Sequence, residues 1–467
     1  MRSDKFLVCG FLILTAAFAG LGVSKAGGQT VRYSPEWDSL DARPTPAWFG
    51  DAKFGIFIHW GVYSVPAWAP IEGVGVYARY SEWYWRRWRE KGEGHDQFVA
   101  FHTKAYGDKV HYQDFVKDFT CEMYEPDYWA EVFERAGAKY VVLTSKHHDG
   151  FCLWPSGQSW NWNSVDVGPH RDLAGELTEA VRKRGLRMGF YYSLYEWYHP
   201  LYRSDVPAYV DTHMLPQVKD LVMRYKPDIV WSDGEWDHPD EVWKSREFLA
   251  WLYNESPVKD TVAVNDRWGK GTRSKHGGYY TTEYSQEKLA EEGTDHPWEE
   301  CRGIGHSFGY NRNERLGHYT SAEKLVHMLV DLVSKGGNLL LDIGPTADGR
   351  IPVIMEQRLT EMGDWLKVNG EAIYGTRKWD RAGKDNGALR FTQKGNTIYA
   401  VSLGWPGDEM KLDVPKPAAG AQVVLVGRDG KLPWTYKQGR MCVDTSGVKI
   451  NELPCRHAYA FRISGAY

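Results

Sequence analysis

The chain has 467 residues, with 57 Lys+Arg against 61 Asp+Glu, a formal net charge of −4. With 42% hydrophobic and 25% charged residues it is neither collagen-like, low-complexity nor disordered, and it is long enough for a large core in about two domains. That charge balance lacks the basic face that nucleic acid demands, so no nucleic-acid partner is expected. The outlying feature is aromatic content, 14% of the chain, which serves cores first and sugar stacking second.

The chain opens with Arg2 and Lys5, an apolar run Phe6–Ala19, and small residues ending at Ser24 and Ala26. This reads as a secretory signal peptide over residues 1–26, and no later apolar stretch is long enough for a membrane span. Cys9 leaves with it. Cys121, Cys152, Cys301, Cys442 and Cys455 remain, an odd number, so at least one thiol has no partner within the chain. Cys442 and Cys455 are placed for a local bridge. The absence of a CxxC pair argues against a structural zinc. Asn254-Glu255-Ser256 is a glycosylation sequon, weakened by Pro257.

Strand-like apolar runs then recur, several ending in polar residues. Phe54–Ile58 meets His59, and Tyr140–Leu143 meets Lys146, His147 and His148. Leu186–Phe190 meets Tyr191, and Ile229–Trp231 meets Asp233. Val262–Val264 meets Asn265, Asp266 and Arg267, Tyr279-Tyr280 meets Glu283, and Leu339–Leu341 meets Asp342. Helical stripes lie between: Trp129, Val132, Phe133, Ala136; Leu173, Leu177, Val181; and Leu325, Met328, Leu329, Leu332, Val333 behind a capping box at Thr320 and Glu323.

This alternation predicts parallel βαβ units. An open doubly wound sheet lacks support, because no Gly-rich fingerprint follows the first strand. Polar residues at many strand ends favour a (β/α)8-like TIM barrel over residues 30–375, whose strands all deliver their ends to one mouth. Ser64–Thr120 is a long aromatic-rich insertion expected to fold over that mouth. From residue 376 to 467 the helical period gives way to short strands, an antiparallel β-sandwich.

The sharpest motif is Trp231-Ser-Asp-Gly-Glu-Trp236. An apolar strand delivers Asp233 to a glycine turn, a rigid and pre-aimed carboxylate that suits a nucleophile or a helix cap. A retaining glycosidase needs a second carboxyl group from another strand end, and Glu283 and Glu299 both have aromatic neighbours. His59, His147 and His148 are able to hydrogen-bond hydroxyls or to ligate a metal. Arg267 is placed to neutralise a carboxylate, and Trp231, Trp83 and Phe308 to line an apolar wall or simply the core.

The strings Phe54-Gly-Ile-Phe-Ile-His-Trp-Gly61, Lys146-His-His-Asp-Gly-Phe151, Trp160-Asn-Trp-Asn-Ser164, Trp231-Ser-Asp-Gly-Glu-Trp236, Val264-Asn-Asp-Arg-Trp-Gly269 and Gly337-Asn-Leu-Leu-Leu-Asp-Ile-Gly-Pro345 together resemble the α-L-fucosidases of glycoside hydrolase family 29, closest to the animal tissue type. The resemblance implies a retaining exo-hydrolase of terminal α-L-fucose with Asp233 as nucleophile. It implies a fucose pocket of His59, Glu82, Trp83, His147, His148, Tyr191, Trp231, Arg267 and Phe308. For the acid/base it offers two positions. Glu283 matches a strand-end T-x-E-Y-like motif and is favoured; Glu299 matches a Lys-Trp-Glu-x-Cys motif in which Pro297 replaces the Lys. It further implies no cofactor, a fucosylated glycan as substrate, a homo-oligomer, and a lysosomal or extracellular destination. Two other readings stand beside it: a metal-dependent hydrolase using the His trio and Asp233, and a secreted sugar-binding protein without turnover.

Overall fold

A computed structural model describes residues 31–284, 295–381 and 387–465, so the expected signal peptide lies outside the described residues. Within the compact unit Tyr33–Tyr467, eight parallel strands form one curled sheet. They are β1 Phe54–Ile58, β2 Tyr140–Lys146, β3 Arg187–Ser193, β4 Ile229–Asp233, β5 Ala263–Val264, β6 Tyr280–Glu283, β7 Trp298–Gly303 and β8 Asn338–Ile343. Neighbours follow chain order and β8 returns to pair with β1. At the seam, the Tyr279 amide just before β6 donates to the Val264 carbonyl of β5 at 3.0 Å.

Most of the strands, β1 to β5 and β8, are largely apolar on both faces because both faces are buried. Ile56, Val141, Phe190, Val230 and Leu341 point outward under the helices. Phe57, Tyr140, Tyr191, Trp231 and Leu340 point inward and form a separate core inside the barrel. The short helix Ala47–Ala52 closes the floor, where Phe49 stacks on Tyr279 with ring centroids 4.1 Å apart. Outside, Pro126–Arg135, Leu173–Lys183, Leu215–Tyr225, Ser245–Asn254, Ala322–Ser334 and Val353–Asn369 are helical. Asp172 caps Leu173–Lys183 by accepting from the Gly175 amide. The cap expected at Thr320 sits one residue later: Ser321 has the extended backbone of a cap and accepts from the Lys324 amide.

Seven of the eight barrel strands correspond to expected runs. The additional strand is β7, Trp-Glu-Glu-Cys-Arg-Gly, whose acids hide its strand character. Inward Glu299 is satisfied by Tyr140 and Trp231, and Glu300 accepts from the Thr282 hydroxyl and the Tyr284 amide.

Beyond the barrel, β9 Arg377–Lys378, β10 Leu389–Lys394, β11 Thr397–Ser402, β13 Gln422–Leu425 and β16 Tyr459–Ser464 make a five-stranded antiparallel sheet. β12 Glu409–Leu412, β14 Trp434–Lys437 and β15 Arg440–Asp444 make a three-stranded one. Phe391, Val423 and Phe461 of the first share a core with Met410, Leu412, Met441 and Val443 of the second.

One expectation is corrected here, the local bridge between Cys442 and Cys455. Cys442 and Cys455 are both free thiols: Cys442 lies in the β15 ladder, while Cys455 turns to the barrel helix and donates to the Ala458 carbonyl at 3.2 Å. The Asn254 of the sequon is engaged in the fold, exchanging hydrogen bonds with the Tyr33 backbone and donating to the Ala250 carbonyl, and Ser256 is buried.

Gly55 of β1 faces inward, and a Cβ there would fall 2.3–2.6 Å from the Tyr140 ring. Gly55→Ala displaces Tyr140 and uncouples Glu299 beneath it. The expected result is a loss of about 2 kcal/mol or more, read as a lower midpoint in thermal or urea unfolding; an unchanged midpoint refutes this packing.

Candidate active site

Strand register decides which side chains reach the mouth. Ser193 lies beside Asp233, and Phe57 and Gly303 lie beside Asp342, so these C-terminal ends are level. In the β6–β7 ladder Thr281 is opposite Glu299, and Glu283 is opposite Cys301. Glu299 therefore sits two residues, about 7 Å, deeper than Glu283.

The mouth opens into a cavity of about 770 Å³. Every expected site residue except Glu299 lines it: Asp233, Glu283, His59, Glu82, Trp83, His147, His148, Tyr191, Trp231, Arg267 and Phe308. The insertion after β1 supplies Tyr77, Tyr80, Glu82, Trp83 and Arg87, so it does cover the mouth. Glu299 is fully buried under the indole of Trp231, which donates to it at 3.1 Å, and the Tyr140 hydroxyl holds its other oxygen.

Asp233 ends β4, and the chain leaves through Gly234 at φ +75°, where a Cβ would meet the Tyr195 ring at 2.4 Å. Its Oδ1 accepts from Arg267 Nη1 at 2.8 Å and its Oδ2 from the Tyr191 hydroxyl at 2.8 Å. Burial alone would push this carboxyl up, but the adjacent Arg267 guanidinium outweighs it and holds Asp233 well below the usual carboxylate range. The same guanidinium puts Nη2 3.5 Å from Glu283 Oε2 and donates from Nε to Thr281 Oγ1 at 2.9 Å. Glu283 also accepts from the Tyr80 hydroxyl at 2.9 Å. Trp231 lies flat under Arg267, 4.4 Å from ring centroid to guanidinium carbon.

Three imidazoles face this ion cluster, and burial keeps all of them uncharged. His147 is pushed down to about 3, and His59 and His148 well below their ordinary value. Ser193 fixes the tautomer of His148. Its hydroxyl donates to the Tyr195 carbonyl at 2.6 Å, so its oxygen must accept from His148 Nδ1, also at 2.6 Å. The lone pair of His148 Nε2 then points at the cavity, 3.6 Å from Asp233 Oδ2. His59 is anchored through Nδ1 to Asp342 at 2.6 Å. Glu82 accepts from the Gly309 amide at 2.8 Å, and burial raises its carboxyl to about 7, so it is neutral and a donor at acidic pH.

The set that the alternative metal-dependent reading would use, His59, His147, His148 and Asp233, is not among the groups whose ligand atoms converge within the described residues. Among the described residues, the group whose ligand atoms converge is Glu196, His199 and His213, and there the Lys146 ammonium already occupies Glu196 Oε1 at 2.8 Å.

Sequence reasoning missed Tyr80, Trp236 and Arg273, and weighed Glu235 only as a neighbour that blurs the choice of Asp233. Glu235 and Trp236 stood in the Asp233 motif itself. Arg273 donates from Nε to Glu235 Oε1 at 2.6 Å and brings Nη2 to 3.6 Å from Asp233 Oδ1. Its loop between β5 and β6 has no periodicity, and Tyr80 has no motif of its own.

The sequence model described as Alpha-L-fucosidase matches residues 22–371, and that described as Alpha-L-fucosidase C-terminal domain matches residues 384–464. Tissue alpha-L-fucosidase of Rattus norvegicus is 47% identical over 91% of this chain and 90% of its own. That of Homo sapiens is 44% identical over 97% of each. The crystal structure of Thermotoga maritima alpha-fucosidase in complex with fucose superposes with a TM-score of 0.79 at 38% identity, covering 92% of this chain and 100% of that one. On the strength of these matches along nearly its whole length, the chain belongs to the alpha-L-fucosidase family.

Proposed function

We propose that the protein is a retaining exo-α-L-fucosidase, with Asp233 as nucleophile and Glu283 as acid/base. The observation that carries this reading is one guanidinium, Arg267, meeting both carboxylates inside the cavity. A retaining glycosidase requires two carboxyl groups about 5–5.5 Å apart, and this bridge keeps them near each other. Asp233, held ionised, attacks the anomeric carbon while Glu283 protonates the leaving oxygen. Water then cleaves the ester with Glu283 as base, releasing fucose and the glycan alcohol. The neutral imidazoles and protonated Glu82 exchange hydrogen bonds with sugar hydroxyls, and Phe308 with Trp231 cover the apolar face. A sugar lacking a matching hydroxyl leaves these buried groups unpaired, which is the basis of selection.

Glu283 is preferred over Glu299 because it lines the cavity, whereas both oxygens of Glu299 are engaged beneath Trp231. Residues 30–375 are assigned to the catalytic barrel and 376–467 to the sandwich, in keeping with the helix Val353–Asn369 and the first sandwich strand at Arg377. The leader motif supports entry into the secretory pathway, with a lysosomal or extracellular destination, and the family resemblance supports a homo-oligomer. Among the described residues no helix is long and apolar enough to cross a membrane.

On a panel of nitrophenyl glycosides at acidic pH, turnover is expected for the α-L-fucoside alone. Glu283→Ala should lose about 10²–10⁴-fold on fucosides with poor leaving groups, recovered in part by azide, while Glu299→Gln keeps most activity in a less stable fold. The reverse pattern assigns the acid to Glu299.

Arg267→Met should move the acidic limb of kcat/KM upward by about one to three pH units, because Asp233 loses the charge that holds it ionised. A limb that stays in place contradicts this role.

Burial raises Glu82, Glu299 and Glu314 to about 7 and Asp149 to about 6. At these four groups the folded chain therefore keeps protons that the unfolded chain releases near pH 4, and their contribution to stability falls as pH rises towards 7. Asp233 and Glu196 are held low by cationic partners, so their contribution is present above the ordinary carboxylate range and lost as pH falls below it. The buried neutral imidazoles of His59, His147 and His148 act in the opposite sense, because the unfolded chain protonates them below about pH 6.5. The carboxyl contribution is therefore read by difference: the Tm advantage of the wild-type chain over Glu314→Gln should be larger at pH 5 than at pH 7.5, and an advantage that grows with pH contradicts the assignment.

A further inference from the structure

The cavity is charged in two zones of different sign. Its acids, Asp233, Glu82, Glu235 and Glu283, all lie at depth, where none has more than a small part of its side chain exposed. Its outer wall carries cations instead: Arg87, Lys270 and Arg273. Lys270 is exposed, and no ion pair or hydrogen bond engages its ammonium among the described residues. Arg273 is tied to Glu235 through Nε while its side chain remains 38% exposed. Between them stands an aromatic wall. Trp236 stacks against Trp83 with centroids 6.3 Å apart and planes 21° apart, Arg273 lies 5.9 Å over Trp236, and Arg87 lies 5.5 Å over Trp83.

An indole face packs against the apolar face of a pyranose, and flanking cations suit an anion carried on that ring. Fucose occupies the deep zone in the reading above, on which this inference rests, so the outer zone receives the leaving group. We propose that the sugar released from fucose is an anionic hexopyranose, bearing a carboxylate or a sulfate, seated on Trp236 and held by Lys270 and Arg273. A neutral sugar makes the stacking contact only. An anionic one also gains two charge-assisted contacts at a partly exposed rim, together about fivefold in kcat/KM at low salt, and salt screens that gain.

The test uses the full chain and three matched substrates: fucose linked to N-acetylglucosamine, to its 6-sulfate, and to glucuronic acid. At low ionic strength at least one charged substrate should exceed the neutral one about fivefold. The gap should close in about 0.5 M salt, and Lys270→Glu should invert it. Whichever charged arm is preferred identifies sulfate or carboxylate. Neutral turnover equal to or above both charged arms, or a preference that Lys270→Glu leaves intact, overturns the proposal. Hydrolysis of 4-nitrophenyl α-L-fucoside reports separately on the fucosidase reading. Should it be absent, calorimetry with free N-acetylglucosamine 6-sulfate and glucuronic acid against N-acetylglucosamine still decides: tighter binding of a charged sugar supports the subsite, and equal or weaker binding of both overturns it.

Discussion

Arg267 is the constraint around which the site is organised. A buried guanidinium is costly unless all its donors are matched, and this one meets Asp233, Glu283 and Thr281 while resting on the Trp231 ring. The pairing serves opposite ends of the chemistry. It keeps Asp233 anionic in a place where burial alone would protonate it, and it draws an acid from β6 towards one from β4. Removing one partner of such a pair typically costs about 3–5 kcal/mol, because the other charge is left uncompensated. In the mechanism proposed above, the nucleophile's reactivity and part of the barrel's integrity are thus one interaction seen from two sides.

The rest of the barrel interior gives that charge cluster an apolar floor and uncharged neighbours. Phe49, Tyr140 and Tyr279 fill the floor, and Phe57, Tyr191 and Trp231 form the next layer. Above them the polar groups are uncharged at acidic pH, with His59, His147 and His148 neutral through burial and Glu82 protonated. A sugar hydroxyl entering the pocket meets donors and acceptors of fixed direction, such as the His148 lone pair set by Ser193. In the proposed reading, such preorganised neutral dipoles suit an uncharged sugar without competing with Asp233 for its counter-ion.

Much of this was legible because strands buried on both faces read as apolar runs, and each run broke into its functional residue where the barrel opens. Phe54–Ile58 before His59 and Ile229–Trp231 before Asp233 are the clearest cases. The seventh barrel strand was illegible for the same reason reversed. Its inward acid is satisfied across the barrel by Tyr140 and Trp231, contacts separated by more than sixty residues that no local pattern carries. Register, likewise invisible in one strand, separates Glu283 at the mouth from Glu299 below. Arg273 and Tyr80 reach the site from irregular loops, where neither period nor motif marks them. The capping box slipped by one residue because Thr320 and Ser321 are chemically equivalent caps and only backbone geometry chooses between them.

In the proposed mechanism Asp233 forms the covalent bond to fucose. The most direct measurement is trapping with a 2-deoxy-2-fluoro-fucosyl donor that carries a good leaving group, so that the ester forms faster than water cleaves it, followed by mass mapping of the peptides from the labelled chain. One added 2-fluoro-fucosyl group is expected, carried by the peptide containing Asp233 and absent from Asp233→Ala. A label on any other residue, or turnover that proceeds with inversion at the anomeric carbon and without a trapped ester, contradicts it.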